Sequence, residues 1–379
     1  DELIRSLVGS YESEIERGEI AWSNELALHV LELKTNGPAS SLHGLAEAFQ
    51  SNVREANRLL APLGARLLPS GMHPWMNPER DFRLWPHEHN IVYETFDRIF
   101  GCAGHGWANV QSTHINLPFA DDLEFGKLHA AIRLVLPLIP GLAASTPIVD
   151  GRATGFLDTR LNYYATNSKR VPSVTGAVVP EPIFSITEYR DGLLQQIYTD
   201  LEPFDPDGVL RHEWANARGS IARFDRMALE VRIVDVQECP AADLAVAAVI
   251  SEAVRWQVEE AWCGSKEQRA WDHRELAAIL HAGIRDGDRA LIDDRRFLKC
   301  FGFPEKGRAR FGDVWQHLVE GTRVREPMTE AARTALDVIL EQGCLARRVI
   351  AASDQDSQRG VYRRLADCLS HGRSFEAIG

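Results

Sequence analysis

No run of apolar residues in this 379-residue chain reaches the about 18 that a membrane-crossing helix needs. The longest, around Leu134–Ala144, contains Pro137 and Pro140, which should break it, so no membrane partner is expected. The start has no basic segment leading into an apolar one, which argues against export. C-x-x-C pairs are missing as well. The six cysteines (102, 239, 263, 300, 344 and 368) are scattered, which suits reduced thiols in a cytoplasm better than a disulfide framework or a zinc ribbon. Basic charge is scarce, with 42 Lys and Arg against 54 Asp and Glu and a net charge of −12, which argues against a nucleic-acid surface. A nucleotide cofactor stays open, because metals and a few local cations can meet its phosphates. Neither G-x-x-x-x-G-K-[ST] nor G-x-G-x-x-G occurs, so this would not be a P-loop or dinucleotide-fold protein.

What the chain does have is concentrated around Ala222–Pro240, ARFDRMALEVRIVDVQECP. Met227–Val236 has the length and β-branched content of a buried strand. Alternation puts Glu230, Arg232, Val234 and Val236 on one face, and Leu229, Val231 and Ile233 on the other, the expected core face. A carboxylate and a guanidinium two residues apart on one surface have two readings. They form a mutual salt bridge on a strand edge, or they form a site where Glu230 holds a metal and Arg232 an anion.

Other segments offer polar faces too. Val110–Pro118, VQSTHINLP, alternates so that Ser112, His114 and Asn116 share one side, which must be wet or bind a ligand. In WSNELALHVLELKTNGP (22–38) a strand should enter the Asn-Gly-Pro turn, with Leu28, Val30 and Glu32 on one face. Glu25 falls on the opposite face and can join Glu32 only from a preceding loop or past a bulge. A solvated face is the alternative for both. The turn Ser70–Trp75, holding Gly71, Met72, His73 and Pro74, either lines something or forms a hydrophobic plug. His87 and His89 have a metal-compatible spacing but no third ligand. Gly151–Pro182 is a long, ordered, irregular stretch containing Asp158, Arg160, Asn162 and Lys169.

Helices are expected at the N-terminus, over Ser40–Leu63, Trp85–Phe100 and Leu123–Leu136, with a short strand at Ala65–Leu68. Beyond Pro240 the periodicity is helical throughout, over 244–262, 274–286, 311–320, 329–350 and 357–369, with no strand signal. The expected division is a catalytic α+β core over 1–240 and a helical region over 241–379 packed on the sheet.

Taken together, GMHPW (71–75), QSTHINLPF (111–119), GRATGFLDTRLNYY (151–164), ARFDRMALEVRIVDVQECP (222–240) and NELALHVLELKT (24–35) resemble the bacterial glutamate–cysteine ligase family 2 group of ATP-dependent carboxylate–amine ligases. The resemblance covers residues 22–255. It implies a fold like the catalytic half of glutamine synthetase: a curved antiparallel β-sheet funnel, helices on its convex side, and two or three Mg²⁺ ions against ATP. It implies that Glu25, Glu32, His114 and Glu230 are metal ligands and that Asn116 lines the nucleotide–metal site. By the same resemblance Arg232 binds the transferred γ-phosphoryl group, while His73 and Arg160 shape the amino-acid pocket, Arg160 through a carboxylate.

The implied reaction phosphorylates a carboxylate of glutamate, and an amine, with cysteine as the default, displaces phosphate. Mg²⁺ wants hard oxygen ligands, and Arg offers a planar fork to phosphoryl oxygens, so these residue types suit it. Catalysis would rest on positioning and charge stabilisation, and none of the cysteines would need a catalytic role. Family members open on a strand with an E-x-E pair, typically G-[IV]-E-x-E-[FY], and no stretch before Trp22 has that form, so a missing N-terminal stretch is expected. Three alternatives stand beside the ligase. They are the same chemistry on other substrates, a non-catalytic binder of ATP or an amino acid, and a zinc hydrolase using His87, His89, His105 and His114. The oligomeric state is left open, a homo-oligomer included.

Overall fold

The computed structural model describes residues 2–304 and 307–377. Helix takes 50% of the chain and strand 12%, so the architecture is mixed α+β with small sheets set among helices. A first antiparallel sheet is formed in order by β1 (Glu14–Arg17), β2 (Ile20–Asn24) and β3 (Leu31–Thr35). β4 (Ser112–Pro118) follows, then a small hairpin of β5 (Ile148–Val149) and β6 (Arg152–Ala153). β7 (Ser220–Arg223) and β8 (Ala228–Asp235) join β4 in a second antiparallel sheet with the order β4-β8-β7. Neither three-stranded sheet is closed, and the strands do not merge into one funnel-shaped sheet.

Apolar periodicity explains the helices that flank these sheets. Leu45–Leu60 buries Leu45, Val53 and Ala56, and packs Ala56, with Ala48, Phe49 and Leu59, in one cluster with Ile20 and Trp22 of the first sheet. Asp122–Val135 starts where the Asp121 carboxylate accepts the Glu124 N–H at 2.9 Å. Its helical path does not break at the prolines: a 3₁₀ turn, Leu136–Leu138, leads into a further helix, Ile139–Ala143. Pro sits in the first turn of each piece, where its missing N–H costs nothing. Asp122–Ala143 is therefore long and apolar enough to cross a membrane, but 94% of its most apolar stretch is buried inside the protein, as in a core helix. Pro240–Val258 packs against Asp122–Val135 and Glu330–Gln342. One hydrophobic cluster accordingly runs from Ile99 to Ile339, across residue 240.

Several sequence expectations are corrected. Ala65–Leu68 forms no strand; the Leu67 N–H donates to the Asn57 side chain at 2.8 Å instead of to a neighbouring strand. The helix expected over 329–350 is two, Glu330–Gln342 and Leu345–Ser353, separated at Gly343 with φ +89°. The C-terminal region also holds a short strand pair, β9 (Leu291–Ile292) with β10 (Ala309–Arg310), too short to show alternation in the sequence.

Candidate active site

The register of β4 on β8 assembles the polar face. Asn116 lies directly opposite Glu230, Ile115 opposite Val231 and Thr113 opposite Val234. The count is uneven between Thr113 and Ile115, so His114 alone faces the Arg232–Ile233 pair, a β-bulge in β8. Directly opposed residues share a face. The bulge therefore changes the parity of β8: Ser112 is opposite Asp235, and Asp235 joins the polar face. Val234 lies with Thr113 on the other face, and Val236 falls outside the strand, which corrects the simple alternation expected over Met227–Val236.

Glu230 is at the centre of this face, 3% exposed. Its carboxylate lies 3.3 Å from Arg232 Nε, 3.2 Å from Arg223 Nη1 and 3.7 Å from His114 Nδ1. Burial pushes the Glu230 carboxyl up, but Arg232, His114 and Arg223 outweigh it and hold it below its ordinary value, so it is ionised. The mutual salt bridge with Arg232 thus exists within a larger group of cations. His114 accepts or donates a hydrogen bond with Ser112 Oγ at 2.8 Å. Its pKa is lowered chiefly by burial, and Arg232 adds to this, so the ring is neutral at pH 7. Arg232 Nη1 also donates to the Asn216 carbonyl at 3.3 Å.

A second group faces this one from the first sheet. Glu25 lies in the loop after β2, and Glu32 lies in β3, opposite Ser23 of β2. The Ser23 hydroxyl donates to Glu32, and Lys34 Nζ lies 3.7 Å from it. Burial, then repulsion from Glu32, push the Glu25 carboxyl up to about 7, while Arg232 and Lys34 pull it down. Tyr93, bonded to Asn24 at 3.2 Å, has its hydroxyl pushed up to about 12 by burial and by Glu25. The charges of Glu25, Glu32, His114, Glu230 and Arg232 act on one another, so one shared environment takes in residues from both sheets.

The third group lies beside β8. Arg160 is 2% exposed and donates its Nε–H to Asp235, which also accepts the Ser145 N–H at 2.8 Å and the Thr146 hydroxyl at 3.1 Å. Arg160 Nη2 has no hydrogen-bond partner among the described residues. Gly71, of the Ser70–Trp75 turn, packs so closely here that a Cβ would sit 2.8 Å from the Asp235 carboxyl. His73, two residues on, is exposed; its backbone is clasped by the Asn109 side chain at 2.7 and 2.9 Å. Partial desolvation of the ring by the neighbouring chain, then His29, lower the His73 pKa and Asp81 raises it, so its charged neighbours lie outside the polar-strand group.

Among the described residues no three His, Cys, Asp or Glu side chains converge closely enough to hold a metal ion as placed. A zinc triad from His87, His89, His105 and His114 is therefore not formed: His105 pairs with Asp150 at 3.3 Å, and His87 stacks on Tyr11 at 4.2 Å. The mutually repelling Glu25 and Glu32 carboxylates beside a neutral imidazole are nonetheless a donor set whose repulsion a hard divalent cation would relieve. Arg223, Asp235 and Tyr93 were not singled out from the sequence. Arg223 and Asp235 could have been found from the strand pairing, since Arg223 lies opposite Ala228 on the Glu230 face.

The model of glutamate-cysteine ligase family 2 matches residues 5–367. An uncharacterized protein of Archaeoglobus fulgidus is 38% identical over 260 residues, covering 69% of this chain and 70% of its own length.

Proposed function

Since the chain belongs to glutamate-cysteine ligase family 2, we propose that it is an ATP- and Mg²⁺-dependent carboxylate–amine ligase that forms a γ-glutamyl amide. The observation that supports this most is the pairing of unlike charge fields: two arginines around Glu230 on β8, opposed by the Glu25 and Glu32 carboxylates of the first sheet. A phosphate chain carrying cations fits such a divided field, its oxygens toward arginine and its metals toward carboxylate.

Glu25, Glu32, His114 and Glu230 would hold Mg²⁺, with Asn116 alongside. When bound, Mg²⁺ supplies charge neutralisation on the phosphoryl oxygens. Arg232 orients the γ-phosphoryl group for attack by the substrate carboxylate oxygen; the bond to ADP breaks and an acyl phosphate forms. The amine nitrogen then attacks the acyl carbon, phosphate leaves with the bonding pair, and the amine loses a proton. Arg160 is fixed by Asp235, and its Nη2 is the group left for a substrate carboxylate, with His73 at the edge of that pocket. Cysteine is the default amine. The demand for ATP and the six unbonded thiols support a cytoplasmic setting for this reaction.

Hydroxylamine trapping tests this reading. Glutamate, ATP and Mg²⁺ with the enzyme should yield a γ-glutamyl hydroxamate and stoichiometric ADP, and absence of hydroxamate with every carboxylate tried would refute it.

A further inference from the structure

One buried amide decides where His73 sits. Asn109, 0% exposed, accepts the His73 N–H on Oδ1 at 2.7 Å and donates from Nδ2 to the His73 carbonyl at 2.9 Å. A backbone N–H only donates and a carbonyl only accepts, so the orientation of this amide is fixed. Its second Nδ2 hydrogen is left for His105 Nδ1, 3.2 Å away. A donor there requires a lone pair on Nδ1. The neutral His105 ring therefore carries its proton on Nε2, where Asp150 Oδ1 receives it at 3.3 Å.

Asp150 is set in turn by the hairpin between β5 and β6, in which Asp150 and Gly151 both have positive φ, +52° and +71°. The Gly151 N–H makes a second tie, donating to the Pro74 carbonyl at 2.9 Å, and a Cβ there would come within 3.1 Å of Trp75. The hairpin thus grips the Ser70–Trp75 turn twice, directly at Pro74 and through Asp150, His105 and Asn109 at His73. At the other end of the turn the Gly71 N–H donates to Ser145 Oγ at 2.9 Å, and the Ser145 N–H donates to the Asp235 that fixes Arg160.

The same backbone orients the His73 ring. Its Nδ1 accepts the Trp75 N–H at 3.2 Å, so its proton is on Nε2. Desolvation lowers its pKa and keeps the ring neutral at pH 7. His73 thus offers one N–H donor, suited to a carboxylate oxygen and unable to take the proton that the amine gives up.

Resting on the ligase reading, we infer that Asn109 and His105 are positioning residues: with Asp150 they hold His73 so that its Nε2–H meets a carboxylate oxygen of the amino-acid substrate. Both act through the His73 backbone.

Asparagine has an oxygen where histidine has Nδ1. His105→Asn therefore keeps the acceptor while losing the ring and the Asp150 contact, and His105→Leu loses all three. Glutamate kinetics of hydroxamate formation by the full chain, at saturating Mg²⁺-ATP and hydroxylamine, tell them apart. His105→Leu should raise the glutamate KM about tenfold with kcat within about threefold, and His105→Asn should stay within about threefold of wild type in both. Asn109→Asp keeps the size of the side chain but turns an acceptor on the His73 carbonyl and His105 Nδ1. It should raise KM about tenfold, and it tests the clasp even where His105→Leu does not fold. An unchanged KM in Asn109→Asp or in folded His105→Leu overturns the inference, as does a loss confined to kcat. A tenfold rise in His105→Asn also overturns it, since His105 would then act by packing alone. Wild-type protein that forms no hydroxamate refutes the ligase reading itself.

Discussion

Arg160 donates its Nε–H to Asp235 where both side chains are almost completely enclosed. Removing one member of a buried ion pair strands the other without compensation, a loss of several kcal/mol. Asp235→Ala should therefore lower the unfolding free energy by about 3 kcal/mol, read from urea denaturation. A change below about 1 kcal/mol would mean that Ser145 and Thr146, not Arg160, define that carboxylate's environment.

Gly71 packs against the same carboxyl. A methyl group there would lie 2.8 Å from the Asp235 carboxyl and 2.9 Å from Thr146 Cγ2, two side chains that are themselves buried and hydrogen-bonded to each other. Gly71→Ala should cost about 1–3 kcal/mol by overpacking, seen as a lower melting temperature. An unchanged melting temperature would show that the turn can move away from β8.

How much of this was visible in the amino-acid order follows from the same residues. Strand positions 230 and 232, 114 and 116 were legible because charge on an otherwise apolar, β-branched run signals a face with a purpose. The family match came from the same motifs. Asp235 was not legible as a member of that face, since a bulge shifts register through hydrogen bonding between strands, which no single strand records. Arg223 was missed for a related reason: its relation to Glu230 exists only once β7 pairs with β8. The proline-bearing segment after Val135 misled because Pro at the start of a new turn continues a helical path as readily as it ends one.

Glu25 makes the metal-free protein sensitive to pH. Burial and Glu32 push its carboxyl up to about 7 from an ordinary 4.5, so between these values the folded chain holds a proton that the unfolded chain releases. Stability should fall as pH rises through that window, the folded form being penalised most above pH 7. Glu25→Gln should match wild type near pH 4 and exceed it by up to about 2 kcal/mol at pH 8 without Mg²⁺. Mg²⁺ binds the ionised form, so wild-type Mg²⁺ affinity should climb from pH 6 to pH 8. A stability gap equal at both pH values would contradict the placement of Glu25 against Glu32.

The account depends most on Glu230 and Arg232 acting together on a phosphoryl group, and a coupled assay of ADP release measures that directly. With Mg²⁺, ATP, glutamate and cysteine, wild-type protein should turn over. Arg232→Ala and Glu230→Gln should each lower kcat by about 100-fold or more while remaining folded by circular dichroism. Turnover within about twofold of wild type in either variant would contradict it.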